Sequence, residues 1–282
     1  MNIKFFDKNL LERFLKPLGI IETIFSFVIT IIGSFLLPWY IPIICFSLCI
    51  VAIVFSYLIM YSKAKKSDSI TLTINNTNVN ILFGNLEDFN DGIETVNFNE
   101  YFDVIVDDKI IAHNSRNGIF IDKHINDVRA FEKEIDNCLL SKKKRIKKEN
   151  CNRINGGRTT KYELGTTIIY QGRYALVAFS SFDENDNSNI SSEEYVCCLL
   201  RMWNELNGIY NLKKLYLPLC GTGITRIDGT SISYQDALEA MISTFKLSKV
   251  SFSDPASLNI VLLPKIRNKI NFERLRTFEK GE

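Results

Sequence analysis

The densest backbone chemistry in this 282-residue sequence lies in Leu217-Pro218-Leu219-Cys220-Gly221-Thr222-Gly223-Ile224-Thr225. Two glycines around a threonine, just after an apolar run, let successive amide N–H groups turn to one side and line a concave anion-binding nest. A second polar turn is Asn114-Ser115-Arg116-Asn117-Gly118-Ile119. Side-chain chemistry is thinner. Glu100 and Asp103 lie where a metal or a general base would be sought, yet paired carboxylates without a third ligand or a positioned histidine make a weak catalytic constellation. His113 and His124 are the only histidines, which excludes a histidine-rich metal centre and leaves few bases for a nucleophile relay. The seven cysteines contain no Cys-x-x-Cys spacing, so neither a zinc site nor a thioredoxin-type pair is indicated. Reduced thiols of this kind fit a cytosolic compartment. A formal charge of +2 argues against general nucleic-acid binding, which needs a strong, organised basic excess.

The elements that must position these turns alternate between strand and helix. Ile70 to Ile74, Val79 to Phe83, Tyr174 to Phe179, Leu215 to Leu219 and Leu258 to Leu263 read as strands. Val128, Phe131, Ile135 and Leu139 share one helical face; Tyr195, Leu199, Met202, Trp203 and Leu206 share a second; Leu238, Met241, Ile242 and Phe245 share a third. Ser191 with Glu194, and Ser233 with Asp236, have the spacing of helix caps. The alternation predicts a layered α/β domain with a largely parallel or mixed sheet, in which ligands sit at the carboxyl ends of the strands.

The first part of the chain obeys different physics. From Thr23 to Ser62 there is no charged side chain. Roughly 20 apolar residues cross about 30 Å of hydrocarbon, so this stretch allows two crossings, over 18–37 and 41–61. Pro38-Trp39-Tyr40-Ile41-Pro42 would supply the reversal, with helix breakers around two aromatic residues that favour the headgroup level. Lys4, Lys8, Arg13 and Lys16 precede the first crossing, Lys63, Lys65 and Lys66 follow the second, and the turn is uncharged. Both ends are therefore expected in the cytoplasm, with residues 1–66 as an anchor and 67–282 as a cytoplasmic domain of a multi-pass plasma-membrane protein. Glu22 reads either as an interfacial carboxylate reaching water or as an intersubunit or pore-lining group. The basic run Lys142 to Lys148 reads either as a solvated face or as a contact to anionic lipid.

Taken together, these motifs resemble a macro domain, the module that binds ADP-ribose and its derivatives. Pro218 to Ile224 matches that family's Pro-x-x-Gly-x-Gly-Ile phosphate loop position for position. Phe83-Gly84-Asn85-Leu86 resembles its Gly-Asp-Ile, with asparagine replacing the acid that holds the adenine amino group. Val96-Asn97-Phe98-Asn99-Glu100 resembles the asparagine-bearing motif that faces the distal ribose, and the usual glycine run after it is replaced by Asn114 to Ile119. The whole chain is similar to the transmembrane macro-domain effectors of Thoeris antiphage defence. The likeness rests on the apolar hairpin, Val96 to Asp103, Lys161 to Thr167, Ala178 to Ser180 and Pro218 to Arg226.

The resemblance implies a three-layer α/β/α fold with a mixed sheet and a partner TIR-domain enzyme that consumes NAD. It implies a ligand derived from ADP-ribose, with an amino-acid conjugate as one form, and neither cofactor nor metal. Adenine would lie at Asn85 and Leu86. The pyrophosphate would lie against the backbone of Asn117 to Ile119, where Gly118 keeps the cradle, and of Gly221 to Ile224, with Arg116 adding a charge-assisted contact beside Ser115. The distal end would lie against Asn99, Glu100 and Asp103, with Thr225 continuing the loop and Lys161, Tyr162 and Arg226 flanking. Binding would favour a homo-oligomer that disturbs the bilayer. The competing expectation is a membrane-tethered ADP-ribosyl hydrolase, acting on ADP-ribosylated protein or an ADP-ribose ester, in which Asn99 orients water and Glu100 or Asp103 is the base.

Overall fold

The computed structural model describes residues 1–33, 38, 40–182, 189–222 and 226–279. They form two compact units: Met1–Asp68 with Asn268–Glu282, and Ser69–Arg267.

In the first unit, α1 spans Lys8–Gly33 and α2 spans Tyr40–Lys66. Asp7 starts α1, its Oδ1 accepting the N–H groups of Asn9 and Leu10, both at 3.1 Å, which would otherwise lack an acceptor. Helix α1 thus begins ten residues before the expected crossing at 18–37, whose last residues, 34–37, lie outside the described residues with Trp39. Pro42 was expected to help break the chain, yet it lies in the first turn of α2, where a missing N–H costs nothing. Among the described residues one helix is long and apolar enough to cross a membrane, Ile43–Lys66, with a mean hydropathy of 2.8. Ile44, Phe46, Val51, Val54 and Phe55 are all exposed along it, so the helix is apolar all round, the pattern of a span rather than of a surface helix. Ile3, Leu10, Tyr57 and Ala64 are buried together where the two helices meet. The Phe5 ring stands edge-on to Tyr57 and Tyr61, with centroids 5.4 and 5.1 Å away.

The second unit is built on a seven-stranded mixed sheet. Its strands are β1 (Ser69–Ile74), β2 (Thr77–Phe83), β3 (Gly92–Asn99), β4 (Thr167–Tyr170), β5 (Tyr174–Ser180), β6 (Lys214–Pro218) and β7 (Leu258–Leu262). The spatial order is β1-β2-β7-β6-β3-β5-β4. The five central strands run parallel, and an antiparallel partner closes each edge. Helices α3 (Arg116–His124), α4 (Val128–Leu139), α5 (Ser192–Asn207) and α6 (Tyr234–Ser248) cover it.

Strand alternation decides which helix each face meets. Val96 and Phe98 of β3 and Leu176 and Ala178 of β5 bury one face with Phe120 and Ile121 of α3 and Phe131, Ile135 and Leu139 of α4. On the other face Phe179 meets Tyr195 of α5 edge-on at 6.0 Å, and Trp203 of α5 meets Phe245 of α6 at 5.3 Å. Ala175 to Phe179 are buried without a break, because a central parallel strand is covered on both sides. The architecture is the expected three-layer α/β/α sandwich. Both expected caps form: Ser191 Oγ accepts the Glu194 N–H at 3.0 Å, and Ser233 Oγ accepts the Asp236 N–H at 3.1 Å.

Candidate ligand-binding cleft

The carboxyl ends of the parallel strands open onto a cleft of about 690 Å³, a size suited to a nucleotide-sized ligand. Gly84 follows β2; Asn97 to Asn99 end β3; Phe179 and Ser180 end β5; Pro218, Leu219, Gly221 and Thr222 leave β6; Val261 and Leu263 bracket the end of β7. The register of β3 against β5 shifts between Phe98 and Asn99, so that Asn99 faces Ser180 at the rim.

One wall is the start of α3. The turn read as a loop from sequence is a helix N-terminus, with Ser115 as its cap: Ser115 Oγ accepts the Gly118 N–H at 3.0 Å and donates to the Ala112 carbonyl at 2.7 Å. A Cβ at Gly118 would run into that same carbonyl, so the close approach requires glycine. The amides of Arg116 and Asn117 belong to the first turn, where no intrahelical acceptor exists and the helix dipole favours an anion. Asn117 is 7 % exposed, and its Oδ1 has no partner among the described residues although Asn117 lines the cleft.

The opposite wall is the turn after β6. Gly221 has a φ of +88°, and a Cβ there would lie 2.9 Å from the Tyr195 ring. Tyr195 holds the turn by donating its hydroxyl to the Cys220 carbonyl at 3.0 Å. The Cys220 amide faces Met241 Sδ at 3.4 Å, leaving Gly221 and Thr222 as the part of the nest that lines the cleft. Gly223, Ile224 and Thr225 lie outside the described residues, and Arg226 is described only through its backbone, paired in parallel with Asn189. Full burial pushes the Cys220 thiol up to about 12, so it stays protonated beside Asn97, whose Nδ2 is 3.5 Å from the sulfur.

Other expected residues take different positions. Asn85 is exposed and outside the lining, its amide donating to Asp88 Oδ2 at 3.3 Å, whereas its neighbours Gly84 and Leu86 form the wall. Asn99 reaches the lining, but its polar atoms serve the turn behind it: Oδ1 accepts the N–H groups of Tyr101 and Asp103, and Nδ2 donates to Asp103 Oδ2 at 2.9 Å. That turn is needed because Phe102 has a φ of +56°. Glu100 and Asp103 are fully buried and are not lining residues. Glu100 accepts from Ser181 Oγ and the Phe182 N–H and pairs with Lys161 at 2.8 Å; Asp103 pairs with Arg153 at 2.5 Å and accepts the Arg158 N–H at 2.8 Å. Both carboxylates fasten loops, and Glu100 Oε2 has no hydrogen-bond partner among the described residues. Ile119, like Gly118, lies within α3 and outside the lining.

Arg116 does line the cleft, with its guanidinium drawn to Glu94 Oε1 at 2.6 Å. Lys109 and Lys265 bring cationic residues to the rim that their places in the sequence did not mark. Half of the basic run is ion-paired: Lys142 and Arg145 meet Glu205, Arg145 also meets Glu163 at 3.3 Å, and Lys147 meets Glu194 at 3.5 Å, while Lys143, Lys144 and Lys148 are exposed.

The family model for the Thoeris protein ThsA macro domain matches residues 79–263, the span that contains both walls. The chain belongs to that family. The Thoeris protein ThsA of Bacillus amyloliquefaciens (strain Y2) is 34% identical over 227 residues, covering 79% of this chain and 75% of the relative. Among solved structures, an aspartate-to-alanine mutant of the Oceanobacillus iheyensis macrodomain aligns with a TM-score of 0.50 and 14% identity, over 76% of this chain and 99% of its own. A glycine-to-valine mutant of the same macrodomain, with ADPR, has the same score and identity over 76% and 100%. At that identity the likeness concerns the fold, and this ThsA-family chain has the macrodomain architecture around its cleft.

Proposed function

We propose that this chain is a membrane-anchored sensor of a nucleotide of the ADP-ribose class, made by a TIR-domain, NAD-consuming partner in Thoeris antiphage defence. Occupancy of the cleft drives association of copies, and the clustered anchors disrupt the bilayer. The observation that carries this reading is the convergence of two backbone amide sources on one cleft: the first turn of α3 and the Gly221–Thr222 turn. Such donors hold a pyrophosphate without a side-chain charge. Membership of the ThsA family and the ADPR in the glycine-to-valine macrodomain structure point to the same ligand class.

In this reading the pyrophosphate spans the amides of Arg116 and Asn117 and those of Gly221 to Ile224, and adenine lies toward Gly84, Asn85 and Leu86. The distal ribose lies toward Asn97 and Asn99, and any amino-acid conjugate extends beyond it. Residues 1–66 form the anchor and 67–282 the sensing part. Helix α2 and the apolar portion of α1 both cross the plasma membrane, and the cations at each end keep both termini and the sensing domain in the cytoplasm. Recognition without turnover is favoured over hydrolysis because Glu100 and Asp103 are engaged by Lys161 and Arg153. The test is calorimetry of the full chain in detergent with ADP-ribose, followed by chromatography of the recovered ligand. Saturable binding with intact ligand is expected; absence of binding would sink the reading, and turnover would select the hydrolase.

A further inference from the structure

Two covalent links join the cleft-bearing unit to the unit that contains the helices, at residues 68–69 and 267–268. They are not equivalent. The first leads from α2 into β1, an edge strand none of whose residues lines the cleft. The second leaves the cleft wall itself: Leu263, Lys265 and Ile266 are lining residues, and the 3₁₀ turn Pro264–Lys269 carries the chain onward. Only three residues separate Ile266 from Ile270, where the chain is already fastened to the start of α1.

That fastening has several components, all within the helical unit. The Asn2 N–H donates to the Ile270 carbonyl at 2.9 Å. Asn271 caps the short C-terminal helix Phe272–Leu275, its Oδ1 accepting the Glu273 N–H at 3.0 Å, while its Nδ2 donates to Asp7 Oδ2 at 2.8 Å. Asp7 is itself the residue that caps α1, so the caps of the two helices are bonded to each other. Glu273, with a side chain 3 % exposed, pairs with Arg13 of α1 at 3.2 Å and with Arg276 at 3.5 Å. A buried carboxylate loses much when one partner is removed, so this pairing favours a single arrangement over a loose one.

We infer that residues 264–276 are the transmission element through which occupancy of the cleft is read by α1: the Lys265–Ile266 wall is the input, and the Asp7–Asn271 and Arg13–Glu273 contacts are the output. The inference rests on the binding reading above. Its physical content is a coupling free energy, and coupling is reciprocal, so a change at the output must alter affinity at the input.

The experiment is calorimetric titration of the full chain with ADP-ribose, comparing wild type, Arg13→Gln, Glu273→Gln and the exchange Arg13→Glu with Glu273→Arg. Each single variant, lying outside the cleft, is expected to shift the dissociation constant about fivefold or more, and the exchanged pair is expected to return it toward wild type. Hydrogen exchange on the same samples keeps the idea exposed to failure if a single variant is poorly folded. In wild type, ADP-ribose should change exchange of amides in 268–279 and 2–16 as well as in the cleft. A wild-type response confined to the cleft, or unchanged affinity in well-folded variants, overturns the transmission role while leaving binding intact. Absence of any ADP-ribose binding by wild type removes the binding reading and this one with it.

Discussion

The Tyr195 ring and the Gly221 backbone occupy adjoining space so closely that each fixes the other. The ring lies where a Cβ on Gly221 would sit, 2.9 Å away, and the Tyr195 hydroxyl holds the preceding Cys220 carbonyl at 3.0 Å. Helix α5, none of whose residues lines the cleft, thereby sets the shape of the turn after β6.

Gly221→Ala meets two obstacles at once, a positive φ and the ring. Either the turn unwinds or Tyr195 is displaced, and the Gly221 and Thr222 amides then no longer point to one place. Affinity for ADP-ribose is expected to fall at least about tenfold, or about 1.4 kcal/mol, measured by calorimetry, with the thermal midpoint lowered as well. Tyr195→Phe removes only the hydroxyl and should cost about 1 kcal/mol of stability, with a smaller loss of affinity.

Ser115 acts on the other wall. Without its Oγ the Gly118 N–H loses its acceptor and the first turn of α3 frays, so Ser115→Ala should cost about 1 kcal/mol in a urea unfolding experiment. Ser115→Asp retains an acceptor but sets a carboxylate beside the proposed pyrophosphate. The two variants are expected to separate in binding: alanine weakens it modestly, aspartate strongly. Equal affinity in both would remove the anion from the α3 terminus.

Asn117 carries a buried carbonyl oxygen without a partner among the described residues, the sort of group that a native structure leaves open for a reason. If a ligand donor completes it, Asn117→Leu should leave stability unchanged or slightly raised and weaken ADP-ribose binding by about 1–3 kcal/mol. Thermal melts with and without ADP-ribose read both effects on one sample. A variant that loses stability and keeps its affinity would assign Asn117 to packing.

Much of this fold is written in local patterns. The five expected strands and the caps at Ser191 and Ser233 arise from alternation and short-range hydrogen bonding, and they appear within a residue or two of their expected ends. Strand β3 was harder to see, because Gly92 to Asn99 is buried on both faces and carries Glu94, Asn97 and Asn99, whose partners come from distant segments. Burial of Glu94 makes sense only once Arg116 is beside it. For the same reason Asn99, Glu100 and Asp103 looked like chemistry: a polar cluster in a motif does not reveal whether its partners will be ligand atoms or Lys161 and Arg153. The union of residues 268–279 with the start of α1 depends on contacts more than 250 residues apart, between Asn271 and Asp7. No periodicity records that.

Cys220 gives a prediction with a defined sign. Burial holds its thiol at about 12 in the folded chain against an ordinary value of 9.0, so the folded form keeps its proton longer than the unfolded form. Below about pH 9 both states are protonated and this contribution to stability is fully present; above that the unfolded chain gives up its proton first, and the contribution falls away as pH rises toward 12. Wild type should therefore lose more stability than Cys220→Ala between about pH 8.5 and 10.5 in paired urea titrations. Cys198, also buried and raised, owes part of its shift to the neighbouring Cys220, so Cys220→Ala relaxes it as well and the difference keeps the same sign. Cys197 is exposed, so a maleimide at neutral pH should label it while Cys220 stays unmodified until denaturant is added. Prompt labelling of Cys220 in the folded protein would mean that the turn after β6 opens readily despite the Tyr195 hydroxyl on the Cys220 carbonyl.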